Sequence, residues 1–246
     1  MSRSVVLTTL GLSLASHPSL AGPPFLTDDP APTDRGRWEI NGFASTSLGP
    51  GGMEGDTGLD INYGGAPDLQ LTLVLPLSFD GPGYTVKGFR SGGGAVEFGA
   101  KYRFVHQDEA GWVPDVSFFP KAVFPTDSRF GPARPNLQLP VWAQKDQGAW
   151  TVFGGGGFQI NPGPGQKNFW LGGLAVQKSV TPHLSLGGEI FGQTDDSADG
   201  GGFRTIGFAA TYRLNRSWSL LASGRPAWLE GGQRGAQASL SLKFEN

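Results

Sequence analysis

The chain contains no cysteine, which excludes a disulfide framework, a thiolate metal site and a thiol nucleophile. Charge is scarce as well. Only 16% of residues are charged, the formal net charge is −2, and the basic residues are scattered, so no nucleic-acid partner is expected. No apolar run reaches the roughly 20 residues that a spanning helix needs. The three histidines, His17, His106 and His183, have no second histidine at ligand spacing, so neither a metal site nor a cofactor is expected. Glycine and phenylalanine, by contrast, are abundant, at 40 and 17 residues. Together with a mean hydropathy of −0.21 they fit many short strands joined by glycine-rich turns, and fit neither a helical bundle nor a disordered tail.

At the N-terminus Arg3 precedes an apolar run from Val5 to Ala15, and then Ser19-Leu20-Ala21 forms a small-x-small site ahead of Gly22. This is the pattern of a cleaved secretory signal over 1–21, so the chain is expected to be exported. Residues 22–37, GPPFLTDDPAPTDRGR, are proline-rich and read as an irregular lead-in, because proline cannot donate to a strand ladder. The remaining residues, 38–246, read as one all-β unit.

The clearest strand is Gly94 to His106. Val96, Phe98, Ala100, Tyr102 and Phe104 share one parity, and Glu97, Gly99, Lys101 and Arg103 share the other. Comparable runs are one that begins with Trp38–Phe43 and stops at the glycine-rich Gly49-Pro50-Gly51-Gly52, then Gly58–Tyr63, Leu69–Leu77, Val113–Phe124, Leu137–Gln144, Ala149–Ile160, Asn168–Val180, His183–Gln193, Phe203–Leu214, Trp218–Arg225 and Ala236–Phe244, about twelve strands in all. Most are long enough to cross a membrane at a tilt. Short connections at Gly64–Pro67, His106–Trp112, Lys145–Gly148, Thr181–Pro182 and Asn215–Ser217 alternate with mostly longer ones at Gly49–Asp56, Asp80–Gly93, Pro125–Asn136, Asn161–Lys167, Thr194–Gly202 and Pro226–Gly235. That rhythm predicts an antiparallel up-and-down transmembrane β-barrel with short periplasmic turns and long extracellular loops, in the bacterial outer membrane.

In lipid only a closed barrel leaves no strand edge open, so the charged parity must face the lumen. The expected lumen-lining residues are Glu97, Lys101, Arg103, Asp115, Lys121, Glu189, Arg213, Arg225 and Lys243. They would either pair with one another and close a narrow barrel or line a polar path of mixed charge. Tyr102, Trp150, Trp170, Tyr212 and Trp218, near strand ends, would belong to the interfacial aromatic girdles. Within the lead-in, Asp28, Asp29 and Asp34 make either a solvated turn or a plug in which the aspartates pair with lumen arginines such as Arg103 or Arg213. Gly154-Gly155-Gly156-Gly157 has no following Lys-Ser/Thr and no helix pattern, so it reads as strand glycine and not as a phosphate loop. His183 and Ser185 share a parity with no third group to orient the base, so no catalytic residue is assigned and no enzyme is expected.

The segments GPPFLTDDPAPTDRGRWEI, INYGGAPDLQL, EFGAKYRFV, GGGGFQINPG and NFWLGGLAVQKSVTPHLSLGGEIF resemble the outer-membrane transporter family associated with phenol-degradation (MetA-type) pathways. The resemblance covers essentially the whole chain after residue 21 and implies passage of small compounds, aromatic ones included. It carries over no catalytic residue. The chain ends Phe244-Glu245-Asn246, so the terminal aromatic usual in such barrels stands two residues early. The expected function is a passive channel or facilitator, with outer-membrane lipid, the barrel assembly machinery and a small solute as partners, as a monomer or a homo-oligomer. The alternatives are a non-conducting structural or surface-binding barrel and, more remotely, a barrel lipid hydrolase.

Overall fold

The computed structural model describes residues 24–49, 52–82, 88–108, 110–127, 129–132, 134–198, 200–229 and 234–246. The expected signal segment 1–21, with His17, lies outside them. Fourteen strands and no helix form among the described residues: β1 Trp38–Gly49, β2 Gly52–Ala66, β3 Leu69–Gly81, β4 Arg90–Gly93, β5 Val96–Val105, β6 Asp115–Phe118, β7 Lys121–Phe124, β8 Asn136–Gln147, β9 Trp150–Ile160, β10 Phe169–Ser179, β11 Leu184–Gln193, β12 Phe203–Arg213, β13 Trp218–Leu229 and β14 Arg234–Glu245. Every pairing between them is antiparallel, and β1 pairs with β14, with Ile40 opposite Phe244 and Leu48 opposite Ala236. The sheet therefore closes on itself and leaves no edge to lipid.

Two of its staves are interrupted. Strands β4 and β5 both pair with β3, and between them the Gly94 amide donates to the Pro76 carbonyl. Strands β6 and β7 both pair with β5 and β8, and the break falls at Phe119-Pro120, where the proline has no N–H to give the ladder. Counting each pair as one stave gives the closed twelve-stranded barrel that the alternation predicts.

The strands run further than the sequence suggests. The connection expected at Gly49–Asp56 is mostly paired, since β1 reaches Gly49 opposite Gly52 of β2. Likewise β13 continues through Pro226 to Leu229 and β14 starts at Arg234. The 52–57 stretch, Gly-Met-Glu-Gly-Asp-Thr, has no alternating apolar face to betray it, and Pro226, without an N–H, reads as the end of a strand. A ladder already in register extends on backbone hydrogen bonds alone, whatever the side chains prefer.

Parity sorts the two faces as expected. Leu69, Leu71, Leu73, Leu75 and Leu77 of β3 point outward, as do Ile206, Phe208, Ala210 and Tyr212 of β12, while Gln70 and Thr72, Thr205 and Thr211 are buried inside. Tyr102, Trp150, Tyr212 and Trp218 are exposed at the end where β1 begins, β14 ends and the short turns lie, and Trp170 is exposed at the opposite, loop end. Inside the wall, Phe119, Trp142 and Phe191 form a buried cluster against which Leu171 and Phe203 pack. The glycine run lies in β9, with Gly155 and Gly156 opposite Gly173 and Gly172 of β10. A Cβ on Gly156 would stand 2.4 Å from the Leu171 carbonyl oxygen, so glycine here serves close strand approach.

Candidate functional site

The described part of the lead-in, residues 24–37, runs inside the barrel. Thr27 is fully buried and Asp29 nearly so. Glycines in the wall make room for the segment. A Cβ at Gly173 would lie 2.3 Å from Thr27 Oγ1, one at Gly187 2.8 Å from the Phe25 ring, and one at Gly64 1.9 Å from the Asp34 carbonyl oxygen. Phe25 meets Phe153 edge to face, with ring centroids 5.4 Å apart.

A proline-rich segment has few amides to satisfy, and wall side chains satisfy those that are buried. Glu189 accepts the Leu26 amide at 3.1 and 2.9 Å and the Thr27 amide at 3.0 Å. Arg225 holds the other side of this clasp. Its Nη1 lies 3.1 Å from Glu189 Oε1, and its Nη2 donates to the Pro24 carbonyl at 2.8 Å and to Ser223 Oγ at 2.7 Å. Gln70 Oε1 accepts both the amide and the hydroxyl of Thr33, at 2.8 and 2.9 Å, and the Gly36 amide donates to the Gly64 carbonyl at 2.7 Å. The segment thus crosses from β11 and β13 at mid-height to β2 and β3 at the short-turn end.

Midway, two lysines take its acids. Lys101 Nζ lies 3.0 Å from Asp28 Oδ1 and 3.8 Å from Asp29 Oδ1, and Lys121 Nζ lies 3.8 Å from Asp28 Oδ2 and 3.4 Å from Glu97. Both ammonium groups sit over the Phe119 ring, 4.9 and 4.5 Å from its centroid. The arginines named as partners for the aspartates go elsewhere. Arg103 Nη2 is 2.8 Å from Asp68 and its Nη1 is 3.6 Å from Asp115. Arg213, on the lumen parity at the end of β12, makes no ion pair among the described residues; it exchanges backbone contacts with His183. Asp34 stays at the exposed bend into β1 and contributes its carbonyl, which accepts the Arg37 amide at 2.9 Å. Glu189 is sealed beneath the lead-in and does not line free space.

Free space remains on the other side. A cavity of about 860 Å³ follows β1 from Glu39 through Asn41, Phe43 and Ser45 to Ser47, with Gln237 to Lys243 of β14 beside it and Asp28, Asp29 and Thr33 facing it. Its wall is polar: Asp60, Asn62, Gln70 and Gln144 line it, and Lys243 bridges Glu39 at 3.4 Å and Glu245 at 2.7 Å. The cavity thus runs alongside a lead-in that Glu189, Arg225, Lys101, Lys121 and Gln70 hold against the wall. At the loop end, outside the wall strands, a side-chain hydrogen bond from Arg129 holds the Asp127 carboxyl down at about 2.

The parity argument missed several residues now prominent here: Phe25, Glu39, Gln70 and Phe119. Phe119 had left a trace, an aromatic on the inward parity between Ser117 and Lys121. Nor do His183 and Ser185 form a nucleophile–base pair. The His183 ring nitrogen contacts the Arg213 carbonyl at 3.1 Å, and Ser185 Oγ lies 3.4 Å from Ser179 Oγ.

In sequence, no family model and no curated protein matches the chain. In structure, it superposes on an outer membrane channel from Pseudomonas putida F1 with a TM-score of 0.68 at 14% identity, covering 89% of this chain and 98% of the other. The fold is that of an outer membrane β-barrel. The NanC porin has the same architecture, with a TM-score of 0.61 at 8% identity over 83% of this chain and 98% of the porin. Outer membrane phospholipase A from Escherichia coli aligns at a TM-score of 0.48 with 11% identity, over 94% of each chain, a likeness too loose to bear on chemistry.

Proposed function

We propose that this barrel is a passive outer-membrane channel for small solutes, narrowed from within by residues 22–37 acting as a plug. The observation that carries the reading is the polar cavity that follows β1 over most of its length while the lead-in fills the opposite side of the lumen. The short turns, with the start of β1 and the end of β14, face the periplasm, the usual orientation of such barrels, and the signal over 1–21 is removed on export. A solute would pass between Asp28 and Thr33 on one side and the β14–β1–β2 wall on the other, so its size is set by the plug and its charge preference by Glu39, Asp60, Lys101 and Lys243. The resemblance to transporters of phenol-degradation pathways adds small aromatic compounds to the candidate solutes.

The test is single-channel conductance of the refolded chain, residues 22–246, in a planar bilayer beside a variant lacking residues 23–34. A small steady current that grows several-fold on deletion is the expected result. The competing reading, a non-conducting barrel, draws on the buried ion pairs and the aromatic cluster inside the wall. A folded barrel that passes no current in either form would establish it and overturn the channel. Lys101→Ala, measured alongside, should shift the ion selectivity of any current.

A further inference from the structure

Two lysines side by side over one aromatic ring are an arrangement that a purely structural barrel has little reason to build. Their like charges repel, and burial deprives both of water. Lys101 has only 5% of its side chain exposed and Lys121 19%, yet each is pinned by the Phe119 ring at 4.9 and 4.5 Å. Three carboxylates make the pair tolerable, Glu97 of the wall and Asp28 and Asp29 of the lead-in, and only Asp28 reaches both lysines. Asp28 places Oδ1 3.0 Å from Lys101 and Oδ2 3.8 Å from Lys121, so its two oxygens are shared between the two ammonium groups. That carboxylate belongs to the lead-in and not to the wall.

We propose that Lys101, Lys121 and Phe119 form a lumenal binding subsite for a small monocarboxylate anion, occupied in this structure by the Asp28 side chain, so that such an anion competes with the lead-in for the site. The inference rests on the reading of the barrel as a channel narrowed by its lead-in, and names the class of solute that relieves the narrowing.

The charges at the site select the class. With the lead-in withdrawn, Asp28 and Asp29 leave together, and Lys101 and Lys121 keep only Glu97, 3.4 Å from Lys121, as a direct partner. Counting these direct partners the balance is one positive charge, and Asp60 and Glu39 further along the wall lower the potential again, so the site suits a monoanion and does not suit a phosphate dianion. The ammonium groups are already fixed by the ring, so a carboxylate arriving there orders little that is still free. Competition sets the concentration. A tethered side chain acts on its site at an effective concentration of the order of millimolar for a short flexible connection, so a free carboxylate must reach ~mM levels to displace it. The connection is suited to letting go. Gly36, at a φ of +76°, turns the segment into β1, and only Gln70 and Gly64 hold it on the wall between there and Asp29. The Glu189–Arg225 clasp at its other end keeps the segment inside the barrel.

The absence of cysteine makes a clean test available. Pro30→Cys places a single thiol at a fully buried position of the lead-in, on the side of Asp28 and Asp29 away from the clasp. In the folded, detergent-solubilised barrel its labelling by a water-soluble maleimide should be slow in sodium chloride. It should rise about tenfold when acetate at tens of millimolar replaces chloride at equal ionic strength, the response expected of a shifted two-state population. Adding Asp28→Asn and Asp29→Asn should make labelling fast in either salt, and adding Lys101→Met should abolish the acetate response. Equal labelling in acetate and chloride overturns the subsite, as does slow labelling of the double asparagine variant. Failure of the channel reading shows up separately, as the lack of current in the form without residues 23–34, because thiol labelling requires no conduction.

Discussion

Glu189 and Arg225 show what parity can and cannot reveal about a single residue. Both lie on the inward face of their strands, and alternation alone places them there. Alternation does not say that the two meet, or that the backbone of residues 24–27 completes their coordination, because contacts across a lumen depend on strand stagger and on a segment with no period of its own. The aspartates were misassigned to arginines for the same reason. Asp68, in the β2–β3 turn at a φ of 59°, already occupies Arg103, and no pattern in the sequence marks that residue as an arginine ligand. The pair itself makes a sharp prediction. Removing one partner of a buried ion pair strands the other charge, so Arg225→Ala should lower unfolding stability by about 3 kcal/mol in a urea titration of the folded barrel. Arg225→Met together with Glu189→Gln should recover much of that loss, since neither side chain then carries an unpaired charge. Equal losses in both variants would mean that the clasp matters through its hydrogen bonds to Pro24, Leu26 and Thr27 and not through its charge.

The lead-in could be recognised in the sequence as an element, from its prolines, and its acids pointed to a plug; its seat could not be. The seat is built from absences, the missing Cβ atoms of Gly64, Gly173 and Gly187, and in a chain with 40 glycines nothing distinguishes these three. Gly173 is the most discriminating of them. A Cβ there would meet Thr27 Oγ1 at 2.3 Å, the Phe191 ring at 2.8 Å and the Ile190 carbonyl oxygen at 2.9 Å. The wall atoms are held by the ladder, so the lead-in is the part that can yield. Gly173→Ala should therefore raise single-channel conductance toward that of the form lacking residues 23–34. Gly224→Ala, where a Cβ would meet nothing within 4 Å, should leave conductance unchanged. An unchanged current in Gly173→Ala, in a barrel that still folds, would mean that the segment tolerates the methyl group without leaving its place.

At the scale of the molecule, strand number, closure and the sidedness of the wall were all legible, because they follow from one period repeated around a ring. Strand ends were not, since extensions such as 52–57 at the start of β2 pair with β1 and carry no alternating apolar signature. Sidedness is also where the membrane assignment is most directly testable. Phe208 sits at the middle of β12, 69% exposed on the outer face, with Ile206 and Ala210 on the same parity. In water such a band would be an aggregation hazard; in a bilayer it is the surface that lipid covers. Placing a charge at its centre should cost what depth dictates, so Phe208→Arg should destabilise the barrel by about 2–4 kcal/mol when unfolding is followed in lipid vesicles. Trp170→Arg, near the loop end of β10, should cost only about 0–1 kcal/mol for the charge itself, beyond what loss of the ring costs in Trp170→Ala. If arginine were tolerated equally at both positions, the outer face would not be buried in hydrocarbon. The lumen assigned to the opposite parity would then lose its basis, and the cavity along β1 would be an enclosed pocket of a water-soluble barrel instead of a path between two compartments.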